Sequence, residues 1–295
     1  MSKYQIFTDS SSDLTTEMRK EHNIDYFRMA FTVDGSLYDA DLDYQEYSAE
    51  QLYEWIKTKN VKTSLITVQE FHDRMIPYLE KGYDILYLAC TMVLSGSLNV
   101  FRLAVEDLQE KYPDRKMIGV DTHRAGMVEG MIVMDAASLQ KQGKSMEEVI
   151  EFVEKERLKY NLCGTLETLT YLKKAGRVSG AAAFFGNLFA VKPIIIADTL
   201  GHNYVVSKAK GSKNAYLALF DIIKDAAEGQ EHPVIYVGQG MAQETAAYFK
   251  KRFEEELGAT VIEYWVGPII GISCGPGVIH LNVKGKEVII TSPEK

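Results

Sequence analysis

Apolar and polar positions alternate in two rhythms along the first half of the chain. Short apolar runs, strand-like, are separated by longer stretches with helical spacing. Tyr4–Thr8 is the first run, and it ends in Asp9 and three serines. Ser12 or Asp13 then caps a predicted helix over Leu14–Glu21. Asp25–Val33 carries Tyr26, Phe27, Met29, Phe31 and Val33, a strand pattern stopped by Asp34-Gly35. Ser48 followed by Gln51 predicts a capped helix through Lys57, and Val68–Lys81 reads as another. Asp84–Ala89 is a buried-type strand, Ser97–Tyr112 a helix, Met117–Val120 a strand and Arg124–Gln142 a helix. Strands alternating with helices of this length predict a parallel sheet covered on both faces.

The pattern changes after Gln142-Gly143-Lys144. Ser145 caps a predicted helix over Met146–Tyr160, and the domain boundary is placed at its end: 1–158 and 159–295. Beyond it, strand-like stretches recur at Asn161–Thr165, Pro193–Ala197, Asn203–Val206, Pro233–Val237, Val261–Trp265, Val278–Val283 and Glu287–Thr291. Helices are predicted near Glu167–Lys174, Lys213–Ala227 and Ala242–Leu257. Asp198-Thr199-Leu200-Gly201 and Lys284-Gly285-Lys286 read as hairpin turns, so this second sheet is expected to be mixed. The fold class is therefore α/β, with an N-terminal three-layer α/β/α domain and a C-terminal α/β domain.

Composition narrows the function. Across 295 residues, 46% are hydrophobic and 25% charged, which supports packed cores rather than disorder. The net charge of −8 leaves no basic footprint for nucleic acid or an anionic membrane. Three cysteines, Cys90, Cys163 and Cys274, form no Cys-x-x-Cys pair, which fits a reducing compartment. The N-terminus reaches Asp9 before any signal-like apolar stretch, and no apolar run approaches the roughly 18–20 residues that span a bilayer. A cytoplasmic location is expected, with no transmembrane segment.

No P-loop and no Gly-x-Gly-x-x-Gly follows a strand, and the six histidines are dispersed, so no metal is expected. What stands out is hydroxyls at strand ends: Thr8 with Ser10, Ser11 and Ser12; Thr63 with Ser64; Ser95-Gly96-Ser97; and Asp121-Thr122-His123. In a doubly wound sheet these ends face one crevice, where helix N-termini and hydroxyls suit a small anion such as a carboxylate or phosphate. The same residues would also serve as plain helix caps. Asp9 at the end of the first strand invites comparison with a phosphatase or hydrolase, although the position two residues on is Ser11. A second feature is the apolar stretch Gly180–Val191, with Phe184, Phe185, Leu188 and Phe189. Such a helix is buried or covers something apolar. A third is Gly267–Gly277, with four glycines and two prolines in eleven residues. It reads as an irregular loop that lets backbone approach a ligand, or as a tight crossover.

Six blocks in order give the chain a resemblance over essentially its whole length to the DegV family of bacterial fatty-acid-binding proteins. They are Thr8-Asp9-Ser10-Ser11-Ser12-Asp13-Leu14; Thr63-Ser64-Leu65-Ile66-Thr67; Leu94-Ser95-Gly96-Ser97; Asp121 to Gly130; Leu172 to Ser179 with Lys192-Pro193-Ile194; and Gly267 to Gly277. The resemblance implies a six-stranded mixed C-terminal sheet and a long-chain fatty acid in a tunnel between the domains. It implies that Thr63, Ser64 and Ser95 hold the carboxylate, with Ser273 at the position of a family histidine. It further implies a FakB-like, non-catalytic carrier. A partner fatty acid kinase would phosphorylate the bound carboxylate, and an acyltransferase would accept the acyl phosphate for phospholipid synthesis. Transient membrane contact fits that role, and no cofactor is implied beyond the bound lipid. Arg177 matches the family arginine suited to kinase docking or phosphate contact. Phe184, Phe185, Leu188, Phe189 and Ile270 are the expected tunnel wall. Leu65-Ile66 replaces the family's Gln-Pro, and Ser273 replaces its histidine.

Overall fold

The computed structural model describes residues 3–178 and 191–293. The expected tunnel-wall residues Phe184, Phe185, Leu188 and Phe189 lie outside the described residues. Two compact units emerge. The first is Met1–Gln45 with Asn60–Arg157, and the second is Glu46–Lys59 with Leu158–Lys295. A single cut at 158/159 leaves out the excursion of 46–59, which packs with the later residues.

In chain order the first unit and the excursion run β1 (Tyr4–Asp9), α1 (Thr16–His22), β2 (Asp25–Phe27), β3 (Ala30–Val33), β4 (Ser36–Asp39), α2 (Ala49–Thr58), β5 (Val61–Ser64), α3 (Val68–Leu79), β6 (Asp84–Ala89), α4 (Ser97–Gln109), β7 (Met117–Asp121), α5 (Met127–Lys141) and α6 (Met146–Glu156). Strands β2-β1-β6-β7 form a parallel sheet. Every residue of β1 and β6 is buried, as expected of inner parallel strands with helices on both faces. An aromatic cluster fills one side. Phe7 stacks on Phe27 at 4.5 Å, and Phe27, Phe71, Tyr87 and Phe101 meet at tilted or edge-on angles.

The expected strand over Asp25–Val33 is two strands in two sheets. β2 joins the parallel sheet, while β3 is the centre of a three-stranded antiparallel sheet, β4-β3-β5. The Ser10 hydroxyl accepts from Met29 N at 2.8 Å and holds the chain where it changes sheet. Asp34 and Gly35, both at positive φ, make the hairpin to β4. The cap of α1 is Thr15, which accepts from Met18 N, and not Ser12 or Asp13. Those two residues are buried under α5, where a Cβ on Gly130 would sit 2.6 Å from Ser12 O. Helix α5 starts at Met127 rather than Arg124, because His123 and Gly126 turn at positive φ. Ser48, Thr67 and Ser145 cap α2, α3 and α6, the last with a full capping box through Glu148.

The second unit continues with β8 (Tyr160–Thr165), α7 (Thr170–Ala175), β9 (Val191–Ala197), β10 (Asn203–Lys210), α8 (Gly211–Ala226), β11 (Val234–Gly240), α9 (Gln243–Leu257), β12 (Thr260–Trp265), α10 (Pro268–Cys274) and β13 (Val278–Lys284). Six strands in the order β10-β9-β8-β13-β11-β12 form a mixed sheet. β11 and β12 are parallel, and β13 is antiparallel to β8 and β11. One face buries Cys163, Ile194, Ile196, Ile235, Val237, Ile279, Leu281 and Val283 against α8 and α9. Glu287–Thr291 is not a strand, and Lys284-Gly285-Lys286 is not a hairpin. Lys286 N donates to Ala226 O at 2.8 Å and Val288 N to Leu158 O at 2.8 Å, so the chain runs across helix ends instead of returning along the sheet.

Candidate functional site

The four hydroxyl clusters separate into two kinds. The first and fourth spend most of their polar groups on the chain itself, the Ser12 hydroxyl excepted. Thr8 donates to Glu129 Oε1 at 2.9 Å, and Tyr87 donates to Asp9 Oδ2 at 2.6 Å. Ser11 Oγ lies 2.5 Å from Asp9 Oδ1 and 3.0 Å from Glu129 Oε2. Asp9 and Glu129 are both fully buried. One hydroxyl proton cannot serve two carboxylates. Burial, and then the nearby Asp9 charge, push the Glu129 carboxyl well above its usual range. Glu129 therefore holds a proton, which it donates to Ser11, and Ser11 donates to Asp9. The fourth cluster is a brace: Asp121 accepts from His123 N at 2.8 Å and Met92 N at 3.2 Å, and Thr122 donates to Ala89 O at 2.8 Å. The sequence signal for the buried carboxyl pair was Glu129 itself, a lone acid in the otherwise apolar run Met127–Met134.

The second and third clusters are different. Thr63 and Ser64 are exposed on β5, and Ser95 is half-buried ahead of α4. Ser95 Oγ donates to Ser97 Oγ at 3.1 Å and accepts from Ser97 N at 3.3 Å. It thus sits at an N-terminus that carries partial positive charge. Leu65 joins the two clusters: a Cβ on Gly96 would lie 3.2 Å from Leu65 Cδ1. Successive strand residues point to opposite faces. Thr63 shares a face with buried Val61, and Ser64 leaves the other, so only one of the pair can face a given ligand atom.

In the second unit, Gly267–Gly277 is not an irregular loop but the short helix α10 with glycines around it, Pro268 at its start. The glycines admit the chain's own side chains. Tyr53 of α2 fills the space over Gly240 and Gly271, and donates to Val266 O at 3.1 Å. Tyr171 covers Gly275, and Glu167 covers Gly277. Glu167 is held in turn by Lys192 at 2.5 Å. Ile270 and Ser273 are the half-buried residues of α10, one helical turn apart on one face. Ser273 Oγ donates back to Ile269 O at 3.1 Å. Arg177 is exposed beyond α7, bonded to Ala175 O through its guanidinium, with its own carbonyl accepting from Asn203 Nδ2 at 3.1 Å. Among the described residues no group of three His, Cys, Asp or Glu side chains suits a metal, and no described helix is long and apolar enough to cross a membrane.

A parallel four-stranded sheet and a mixed six-stranded sheet define an α/β protein. Residues 3–283 match the family described as "Uncharacterised protein, DegV family", and the chain belongs to the DegV family. A DegV domain-containing protein of Clostridium perfringens is 31% identical over 288 residues, covering 97% of this chain and 98% of that one. A Thermus thermophilus DegV family structure, titled for fatty acid binding, matches with TM-score 0.85 at 25% identity, covering 96% of this chain and all of that one. A stearic-acid-binding protein of Eubacterium ventriosum shares the fold with TM-score 0.86 at 23% identity, over 96% of this chain and 98% of that one.

Proposed function

We propose that this protein is a non-catalytic cytoplasmic carrier of a long-chain fatty acid. The observation that carries the reading is the shared fold with the Thermus thermophilus fatty-acid-binding protein over 96% of the chain. In the first unit, Ser95 with Thr63 or Ser64 holds the carboxylate at the start of α4. In the second, Ile270 and Ser273 present the ligand-facing side of α10. Burying a methylene contributes about 0.8 kcal/mol, so fifteen give on the order of 12 kcal/mol before the cost of association. Affinity therefore comes from the tail, and the head needs hydrogen bonds rather than a cation, since an unpaired buried carboxylate is costly. The carrier presents this carboxylate to a fatty acid kinase, with Arg177 at the docking surface, and the acyl phosphate passes to an acyltransferase for phospholipid synthesis. Asp9, the residue a hydrolase reading would use, is buried and accepts from Ser11 and Tyr87.

Native mass spectrometry of the purified protein, followed by lipid extraction, tests the reading. A retained mass matching a fatty acid supports it and reports the chain length. A bare protein that takes up no acid when one is offered overturns it.

A further inference from the structure

The face of the six-stranded sheet turned away from α8 and α9 carries Val278, His280 and Asn282 of β13. All three are buried. His280 stands between two glycines, Gly164 opposite it on β8 and Gly238 opposite it on β11. A Cβ at 164 would lie 2.9 Å from His280 Cδ2, so the imidazole leans over Gly164, while the Tyr264 ring fills the space over Gly238. Two polar atoms on this face, His280 Nδ1 and Asn282 Oδ1, have no partner among the described residues. The other polar atoms of both side chains are engaged. His280 Nε2 lies 3.8 Å from Cys274 Sγ, and Asn282 Nδ2 donates to Tyr236 O at 3.2 Å and Tyr264 OH at 3.1 Å.

The proton positions follow. Burial pushes the His280 imidazole down to about 4, so it is neutral at neutral pH. A neutral imidazole has one donor and one acceptor. In the tautomer whose Nε2 accepts from the Cys274 thiol, the ring proton sits on Nδ1. Because both Asn282 Nδ2 protons are used, its Oδ1 is a fixed acceptor. One buried donor and one buried acceptor stand two residues apart on the same strand face, about 7 Å along the strand. Buried polar groups are normally satisfied, so this pair calls for a group that the described residues do not supply. An anionic oxygen would meet the Asn282 carbonyl oxygen unfavourably. A hydroxyl accepts from one and donates to the other, directly or through one water.

We propose that His280 and Asn282 form the polar floor of a subsite for one uncharged hydroxyl, and that the lipid carried by this chain is a hydroxylated long-chain acid. The proposal rests on the fatty-acid reading above. The test titrates the delipidated full chain with octadecanoic acid and with octadecanoic acids bearing a single hydroxyl at different positions. At least one hydroxy isomer is expected to bind about tenfold more tightly than the parent acid, the size of one net buried hydrogen bond. His280→Phe should remove that preference. If every hydroxy isomer binds no better than octadecanoic acid, the subsite is overturned while the fatty-acid reading stands. If no acid binds, both fall. Should His280→Phe fail to fold, a crystal structure of the native complex decides. A ligand hydroxyl bonded to His280 Nδ1 or Asn282 Oδ1 supports the proposal, and a water alone between them overturns it.

Discussion

Two side chains of the first unit illustrate opposite uses of a hydroxyl. Ser95 is half-buried at a helix start, whereas Ser11 is locked between two buried carboxyls. Ser95→Ala should weaken fatty-acid binding by about 1.5–3 kcal/mol, the range for a hydrogen bond to a charged group, with the unfolding midpoint unchanged. Calorimetric titration checks this, and equal affinity would remove Ser95 from the head-group site. Glu129 yields a pH prediction. Its folded pKa lies above the unfolded value near 4.5, so the folded state binds the extra proton. The stability this proton brings is full below the unfolded pKa and declines as pH rises toward the folded one. Glu129→Gln, a neutral isostere, should therefore flatten the stability–pH curve as pH rises above the unfolded pKa. Glu129→Ala should instead cost about 1–3 kcal/mol by orphaning the Thr8 hydroxyl. Melting curves across that range decide, and parallel slopes for native and Gln proteins would show that Glu129 carries no proton.

At the scale of elements, α10 is held by glycines that other elements require. Gly275 has φ +80° and lies under the Tyr171 ring, so a methyl there meets both backbone strain and overlap. Gly275→Ala should destabilise the chain by roughly 2–4 kcal/mol, through about 1–3 kcal/mol of overpacking plus the strain. Tyr171→Ala in the same chain should return only the overpacking part, and urea midpoints of the single and double variants separate the two. The existence of this element was hidden in the sequence. Pro268 and the glycines signal a loop, and only the approach of Tyr53 and Tyr171 explains why a helix needs them. The long elements were legible because their period or cap was local: β6 has the expected limits, and Ser145 with Glu148 fixes the start of α6. What was illegible depended on long-range pairing. The strand over Asp25–Val33 splits because β1 takes its first part and β5 its second. Glu287–Thr291 has strand composition but finds helix ends rather than a sheet edge. In the candidate site, the sequence marked Ser95 by its block. It could not show that the similar-looking first cluster is closed by Glu129, which lies more than a hundred residues away.

For the whole molecule, the two units each carry their own core, so ligand binding has a global consequence that no single contact conveys. A ligand that binds only the folded state raises stability by RT ln(1 + [L]/Kd), about 2.7 kcal/mol at one hundred times Kd. If the protein carries a fatty acid as proposed, the acyl tail supplies most of the binding energy, and that gain should depend on chain length. Each methylene removed from the acid should lower the gain at fixed concentration, by up to about 0.8 kcal/mol where the chain is fully buried. Scanning calorimetry with a series of saturated acids reads this directly. A melting temperature that climbs with chain length to a maximum and then falls marks the length the interior accepts. An equal shift for every acid would mean that the tail stays in solvent and only the carboxylate is held. That second outcome is compatible with Ser95 acting as an anion site, but it would give the half-buried Ile270 of α10 no part in binding. It would also remove the reason for a carrier, since a protein that holds only the head does not shield the chain from water.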